Sequence, residues 1–378
     1  MAAKNEAVVI KDVIHSLLNQ VYNKELFHIY VVADNCTDDT AKIANEISKK
    51  FNGRITVLER FNDKYKGANF AIQHALKHIQ ESKIEYDAYC YFDSDNIVDK
   101  NWLKKVVSKL KTGCEVITTF RNSINCKDNW ISASYAIQFI KESTYMNYSR
   151  EKLNMTSWIN GTGFCFTNRI LKLTNYWDFN SLSHDIEFTQ FLSLNNVKCG
   201  YVDDAVFYDE QPIKFKDSYK QRLRWCKGFL QVFRIYGKSE FKDLCKINSN
   251  KNKKSIYANF ALIFPQIVFF LLNLFNYLLL SIILIFVSES EKMDLFFKIQ
   301  QYWIFTPIAI VFGFYLNFFL IGLIVIIQQY KQIDCKFIKL FGYIFMYPFF
   351  MFSYVPISLI SIFKKNISVS PTKRKPRN

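Results

Sequence analysis

Val9, Val13 and Leu17 recur at helical spacing, with Ile10, Ile14 and Leu18 beside them, so the chain opens on an amphipathic helix. His28–Val32 is a short β-rich run that ends at Asp34. Ile43, Ala44 and Ile47 give one apolar face to a helix over Thr40–Lys50. Arg54–Leu58 is predicted as a strand and Gly67–Ile79 as a helix. Asp87–Phe92 is predicted as a strand that ends in Asp93, and Glu115–Phe120 as another strand. Strands separated by helices of this length imply an α/β domain, a mostly parallel sheet with helices on both faces. Such sheets bind ligands at the carboxyl ends of their strands, where Asp34 and Asp93 fall. From Asn125 to about Lys238 the pattern is less regular.

The second half changes character. No charged residue occurs in 255–288, 299–330 or 340–363. Each run exceeds the roughly 20 residues a helix needs to cross a bilayer. The expected organisation is a soluble domain over 1–237, a basic juxtamembrane linker over 238–255, a membrane region over 256–363 with about three spans, and a basic tail over 364–378. Pro265 and Pro307 stand near the starts of spans, where proline is tolerated. Three spans and a cytosolic domain put the tail outside, yet Lys364, Lys365, Lys373, Arg374, Lys375 and Arg377 argue for inside. Pro348 and Pro356 make the third run the best candidate for a re-entrant segment.

Net charge is +16, concentrated around Lys238–Lys254 and in the tail. Both clusters flank apolar runs, which fits anionic lipid headgroups rather than nucleic acid. The nine cysteines are odd in number and form no C-x-x-C pair, so neither a disulfide scaffold nor a structural zinc site is expected.

Four short segments carry candidate chemistry. Asp93-Ser94-Asp95 closes a strand, and residues i and i+2 can aim two carboxylates at one hard cation. Asp185, after Ser183-His184, can act as a general base, although an acid at a helix N-terminus also suits the helix dipole. Gln221-Arg222-Leu223-Arg224-Trp225 offers guanidinium forks for a pyrophosphate and an indole face for a sugar, while a basic-aromatic helix near a membrane also serves as an interfacial anchor. His74 and His78 are four apart on a helix, but Ala75 stands where a zinc protease has glutamate, so they read as a solvated face.

Taken in order, the chain runs from a strand ending in Asp34 through Lys66-Gly67, Asp93-x-Asp95 and Gly161-x-Gly163 to Asp185. Gln221-x-x-Arg224-Trp225 and the apolar runs follow. This order resembles the membrane-bound family 2 glycosyltransferases, the group that includes synthases of cellulose, hyaluronan, chitin and poly-N-acetylglucosamine. The resemblance covers nearly the whole chain from Asn5. It implies a GT-A-like nucleotide-sugar-binding domain followed by C-terminal transmembrane helices, in a multi-pass protein of the cell membrane with its catalytic domain in the cytosol. It implies that Glu6, Asp34, Lys66, Gly67 and Asp93 bind a nucleotide sugar, with a UDP-sugar expected. Asp95 would hold Mg2+ or Mn2+, and Asp185 would be the catalytic base. Gly161, Gly163, Gln221, Arg224 and Trp225 would face the pyrophosphate and the acceptor, a polysaccharide or a lipid.

Two departures stand out. The motif that the family writes T-E-D is Ser183-His184-Asp185 here, which keeps the base and alters its neighbour. Family members also carry a hydrophobic strand before the N-E dipeptide, whereas this chain reads Met1-Ala2-Ala3-Lys4-Asn5-Glu6. The expectation is that this central strand is missing, leaving backbone donors and apolar side chains uncovered. The leading function is inverting transfer of a sugar to a polysaccharide at the membrane, with metal dependence. The alternatives are transfer to diacylglycerol or a polyprenyl phosphate, and a non-catalytic partner of a synthase complex.

Overall fold

The computed structural model describes residues 1–51, 53–246, 250–265, 268, 271–272, 275, 278–279, 282, 289–365, 367 and 374. Eight strands and the helices between them build the first 245 residues. The strands are β1 (Ala2–Ala3), β2 (Ile29–Asp34), β3 (Ile55–Arg60), β4 (Ala88–Tyr91), β5 (Ile97–Val98), β6 (Val116–Ser123), β7 (Phe164–Thr167) and β8 (Cys199–Asp209). One sheet has the order β1-β2-β3, all parallel, and the other the order β4-β7-β6-β8-β5. A parallel bridge from Ala2 to Asp93 joins them. The alternation of elements predicts a mostly parallel sheet, and the first sheet is so. The second is mixed: β6 and β8 are parallel, but β7 runs antiparallel between β4 and β6, and β5 antiparallel to β8. The reason is local, because β7 follows an irregular stretch after Lys152 rather than a crossover helix, and only parallel pairs require a crossover.

The strand expected to be absent is represented by Ala2–Ala3, which sits between β2 and the end of β4. A cavity of about 1110 Å³ beside it touches Met1, Tyr30, Leu76, Cys90 and Tyr91. Cys90 lies mid-strand yet is exposed.

The helices of the first sheet follow their apolar periodicity. They are α1 (Ile10–Leu18), α2 (Thr40–Lys50) and α3 (Ala68–Glu81). Ile10, Val13, Ile14 and Leu18 of α1 close against Ala44, Ile47 and Val31. Around the second sheet lie α4 (Trp102–Leu110), α5 (Trp130–Lys141), α6 (Tyr148–Lys152), α7 (Asn168–Leu173) and α8 (His184–Leu194). Asn129 caps α5, accepting from the Ile131 and Ser132 N–H groups. Two further helices, α9 (Phe215–Cys245) and α10 (Lys253–Ile263), lead away from the sheet.

Beyond residue 288 the described chain forms a helix over Glu289–Gln329 and three shorter ones, Phe337–Ile344, Tyr347–Phe352 and Tyr354–Phe363. Among the described residues one helical stretch, Ile308–Gln332, is long and apolar enough to cross a membrane. Phe337–Ile344 and Tyr347–Phe363 pass the same test together but bend by 43° at their break. The first of the three expected spans lies mostly outside the described residues. These segments pack on the N-terminal domain, with Tyr135, Ile137 and Phe139 of α5 sharing a core with Val325, Ile326, Leu340, Ile344 and Tyr347.

Candidate active site

The loops after β1, β2 and β4 converge at the carboxyl ends of their strands. Glu6 N–H donates 2.8 Å to Thr40 Oγ1, and Ala7 N–H donates 3.1 Å to Asp38 Oδ2. Thr37 N–H donates 2.8 Å to Asn5 Oδ1. The Asn5-Glu6 turn is thus tied to the loop that follows Asp34. Asp34 is buried and pairs with the Arg60 guanidinium; Asn35 Nδ2 donates 2.9 Å to the same carboxylate. Arg60 is its register partner on β3, so neighbouring parallel strands end in opposite charges. Lys66 stays at the surface, paired with Asp63 at 3.1 Å. Gly67 opens α3 at φ 133°.

The two acids of the D-x-D segment are held by different partners. β4 ends at Tyr91, so Asp93 and Asp95 belong to the following loop. Asp93 Oδ1 accepts from Tyr91 Oη at 2.6 Å, and Asp93 N–H donates 2.9 Å to Thr162 Oγ1. Thr162 Oγ1 is 2.6 Å from Asn96 Oδ1, and Asn96 Nδ2 donates 3.2 Å to Asp95 Oδ1. Asp95 Oδ2 receives Arg374. Burial pushes both carboxyls up, Asp95 well above the usual carboxylate range although Arg374 opposes this, and it takes Glu6 to about 7. Among the described residues no group of three or more His, Cys, Asp or Glu is close enough to hold a metal by itself. Asp95 nonetheless suits a cation: its carboxylate is buried with a guanidinium already on it, and Glu6 Oε2 is buried without a hydrogen-bond partner among the described residues. An ion there would take its remaining ligands from phosphate oxygens and water, as small divalent cations do.

The loop that leads into β7 meets the base candidate, which lies at the start of α8. Gly161 N–H donates 2.7 Å to Asp185 Oδ2, in the first turn of α8. Gly161 and Gly163 both take positive φ, and a Cβ on Gly163 would lie 2.1 Å from the Phe207 ring, so only glycine lets this loop lie on β8. His184, beside Asp185, is half-buried between Tyr91 and Trp177, and desolvation keeps its ring below the usual imidazole range. Leu182 N–H donates 2.9 Å to Gln231 Oε1, which fastens the loop to α9.

The segment Gln221–Trp225 splits its work. Arg222 turns away from the site and is wholly buried. Its Nη1 donates 3.0 Å to the Phe350 carbonyl, and its guanidinium lies 4.3 Å from the Phe350 ring centroid. Arg224 remains half-buried, and its charge opposes protonation of His184. Gln221 Oε1 is buried without a hydrogen-bond partner among the described residues. Trp225 stands edge-on to Tyr135 and Phe139. It lines a cavity of about 280 Å³ together with Asp185, Glu142, Asn160, Phe229 and Tyr354.

Three functional candidates escaped the sequence reading. Arg121 spans the site, with Nε donating 2.8 Å to Asp209 Oδ2 and Nη1 donating 3.1 Å to the Asn160 carbonyl. Glu142 accepts from Asn160 Nδ2 beside the cavity, on a π-helical turn, Glu142–Asn147, that interrupts the helix after α5. Arg60 is the third. Arg121 was visible as a charge just past the strand predicted over Glu115–Phe120; Asp209 and Glu142 left no such mark.

A mixed sheet with three loops of this kind at its carboxyl edge defines a GT-A-like glycosyltransferase fold. Residues 1–228 match the family described as "Glycosyltransferase like family 2", and the chain belongs to that family. It is 27% identical over 272 residues to a probable glycosyltransferase, YdaM, of Bacillus subtilis (strain 168), across 71% of this chain and 61% of that one. It is 23% identical over 233 residues to the poly-beta-1,6-N-acetyl-D-glucosamine synthase of Staphylococcus epidermidis, across 61% of this chain and 54% of that one. The chain thus spans little more than half the length of these relatives. A mannosyltransferase from Pyrobaculum calidifontis, solved with GDP-Man and Mn2+, shares the fold at a TM-score of 0.52 and 14% identity, over 69% of this chain and 68% of that one.

Proposed function

We propose that this protein transfers a sugar, with inversion, from a UDP-sugar to a growing polysaccharide at the membrane, with Asp185 as base. The observation that carries the reading is the placement of Asp185. Its carboxylate is held by the Gly161 N–H at the mouth of a cavity that also presents Trp225. An acceptor hydroxyl on Trp225 would give its proton to Asp185 as its oxygen bonds to the anomeric carbon. The bond from that carbon to the diphosphate breaks, and the diphosphate leaves with the electron pair from the opposite face. One in-line displacement needs one base and no covalent intermediate. Glu6, Asp34, Lys66, Gly67 and Asp93 would hold the nucleotide sugar, Gln221 and Arg224 the diphosphate, and Gly161 and Gly163 the acceptor-side loop. A Mg2+ or Mn2+ ion held by Asp95 would supply positive charge to the leaving diphosphate.

A second reading, transfer to a lipid acceptor, draws on the same cavity. Leu262, Ile263, Phe229, Met351 and Tyr354 line it, and these side chains suit an acyl or prenyl chain as well as a sugar face. The test is a membrane-fraction assay with a panel of labelled nucleotide sugars. Long products from UDP-sugars support the polysaccharide reading, and a single glycolipid the lipid reading. Absence of nucleotide release with any donor and metal sinks both and leaves a non-catalytic partner. Asp185→Asn is expected to lower turnover at least ~100-fold with nucleotide affinity unchanged.

A further inference from the structure

The acid site has an occupant from the far end of the chain. The Arg374 guanidinium sits on Asp95 Oδ2, its Nε lies 3.9 Å from Glu6 Oε2, and its Nη1 donates 2.7 Å to the Glu210 carbonyl. Its side chain is 12% exposed, low for an arginine. The chemistry explains the seat. Glu6, Asp95 and Asp209 are buried carboxylates in one region with half-buried Asp93, and Arg121 pairs with Asp209. Arg374 brings positive charge to Asp95 and Glu6, which are both buried.

The same geometry makes Arg374 an obstacle. Asp95 Oδ1 is held by the Asn96 amide, and Oδ2 is the oxygen that Arg374 covers. A divalent ion bound directly to Oδ2 must stand where the guanidinium stands. We propose that Arg374 is a tethered cation that occupies the acid site in the nucleotide-free protein, competes with the divalent ion, and is displaced when ion and nucleotide diphosphate bind. This rests on the reading of Asp95 as the cation-holding residue. A competitor tethered by a short chain acts at an effective concentration of the order of mM, so it opposes metal ions over a similar range. The result is a site that stays neutralised when empty and admits a bare cation poorly.

The test uses the full chain in detergent or nanodiscs. Mn2+ binding is titrated by the loss of the free-ion paramagnetic resonance signal, without nucleotide, for the unmodified protein, Arg374→Ala and Asp95→Ala. Arg374→Ala is expected to bind Mn2+ at least ~10-fold more tightly, because a charge-assisted contact no longer opposes the ion. Asp95→Ala is expected to lose that binding. A second readout is trypsin cleavage after Arg374, followed by intact mass. Cleavage should be slow in the free protein and faster once Mn2+ and UDP are added together. Equal Mn2+ affinity in the unmodified protein and Arg374→Ala, with Asp95→Ala inactive in binding, overturns the competition and leaves the metal reading standing. Failure of both the unmodified protein and Arg374→Ala to bind Mn2+ overturns the metal reading and the competition with it. Cleavage after Arg374 that is equally fast with and without ligand overturns the displacement.

Discussion

At the scale of single residues, Asp34 illustrates what a sequence can and cannot announce. An aspartate closing a β-rich run is legible, and so are Asp93 and Asp185 as acids at element ends. The partner that holds Asp34 is not, because Arg60 comes from the next strand and meets it only through the parallel register. Arg60→Ala is therefore expected to leave Asp34 buried without its counter-ion. Nucleotide binding should weaken by about tenfold or more with a smaller change in kcat, read as a rise in donor Kd by calorimetry. Glu240 makes a different point. It is buried on α9 with no hydrogen-bond partner for either carboxylate oxygen among the described residues, and burial, helped by Asp243, raises it to about 8. The unfolded chain loses this proton near 4.5, whereas the folded protein keeps it to about 8. Stability from this group is thus greatest below 4.5 and declines as pH rises through that window. Glu240→Gln is expected to melt higher than the unmodified protein at pH 8, with the advantage shrinking toward pH 5.

At the scale of elements, periodicity found the first sheet and its helices almost in full. The run Thr40–Lys50 forms α2 over those same residues, and Gly67–Ile79 becomes α3 over Ala68–Glu81. It missed β5 because two residues carry no pattern, and β8 because Asp203 and Asp204 interrupt its apolar run. It also could not show how closely α9 approaches the base loop. A Cβ on Gly228 would lie 2.1 Å from Ser183 Oγ and 2.8 Å from the Ser183 backbone nitrogen, two residues before Asp185. Backbone cannot swing aside as a side-chain tip can. Gly228→Ala is expected to push the loop off α9, destabilise the domain by about 1–3 kcal/mol, and lower kcat more than it changes donor affinity. A kinetic comparison with the unmodified enzyme, alongside thermal melting, separates the two effects; an unchanged kcat would show that α9 does not set the position of Asp185.

At the scale of the whole molecule, the apolar runs left a conflict of parity: three crossings would carry the basic tail to the side opposite the catalytic domain. The contacts of the last run bear on this. Its beginning is fastened to the catalytic domain, where Asn122 Nδ2 donates 2.7 Å to the Gln332 carbonyl, Lys127 pairs with Asp334 at 2.7 Å, and Lys339 Nζ donates 2.7 Å to the Lys127 carbonyl. Its end is fastened there too, by Lys227 Nζ donating 3.0 Å to the Ser361 carbonyl and by Arg374 on Asp95. Both ends of the segment contact the N-terminal domain and its helices bend by 43° between Phe337–Ile344 and Tyr347–Phe363, so we propose that it dips into a bilayer and returns. The proposed topology therefore has Ile308–Gln332 as one crossing and the tail on the catalytic side, which requires an even number of crossings. That arrangement satisfies the positive-inside preference that three spans violate. Fusions of a reporter that fluoresces only in the cytosol and of a phosphatase active only outside provide the check. The fluorescent reporter after Asn378 should glow, and the phosphatase inserted after Lys292 should be active. An active phosphatase at the C-terminus would place Arg374 across the membrane from Asp95, and both the re-entrant segment and the tethered cation would fall together.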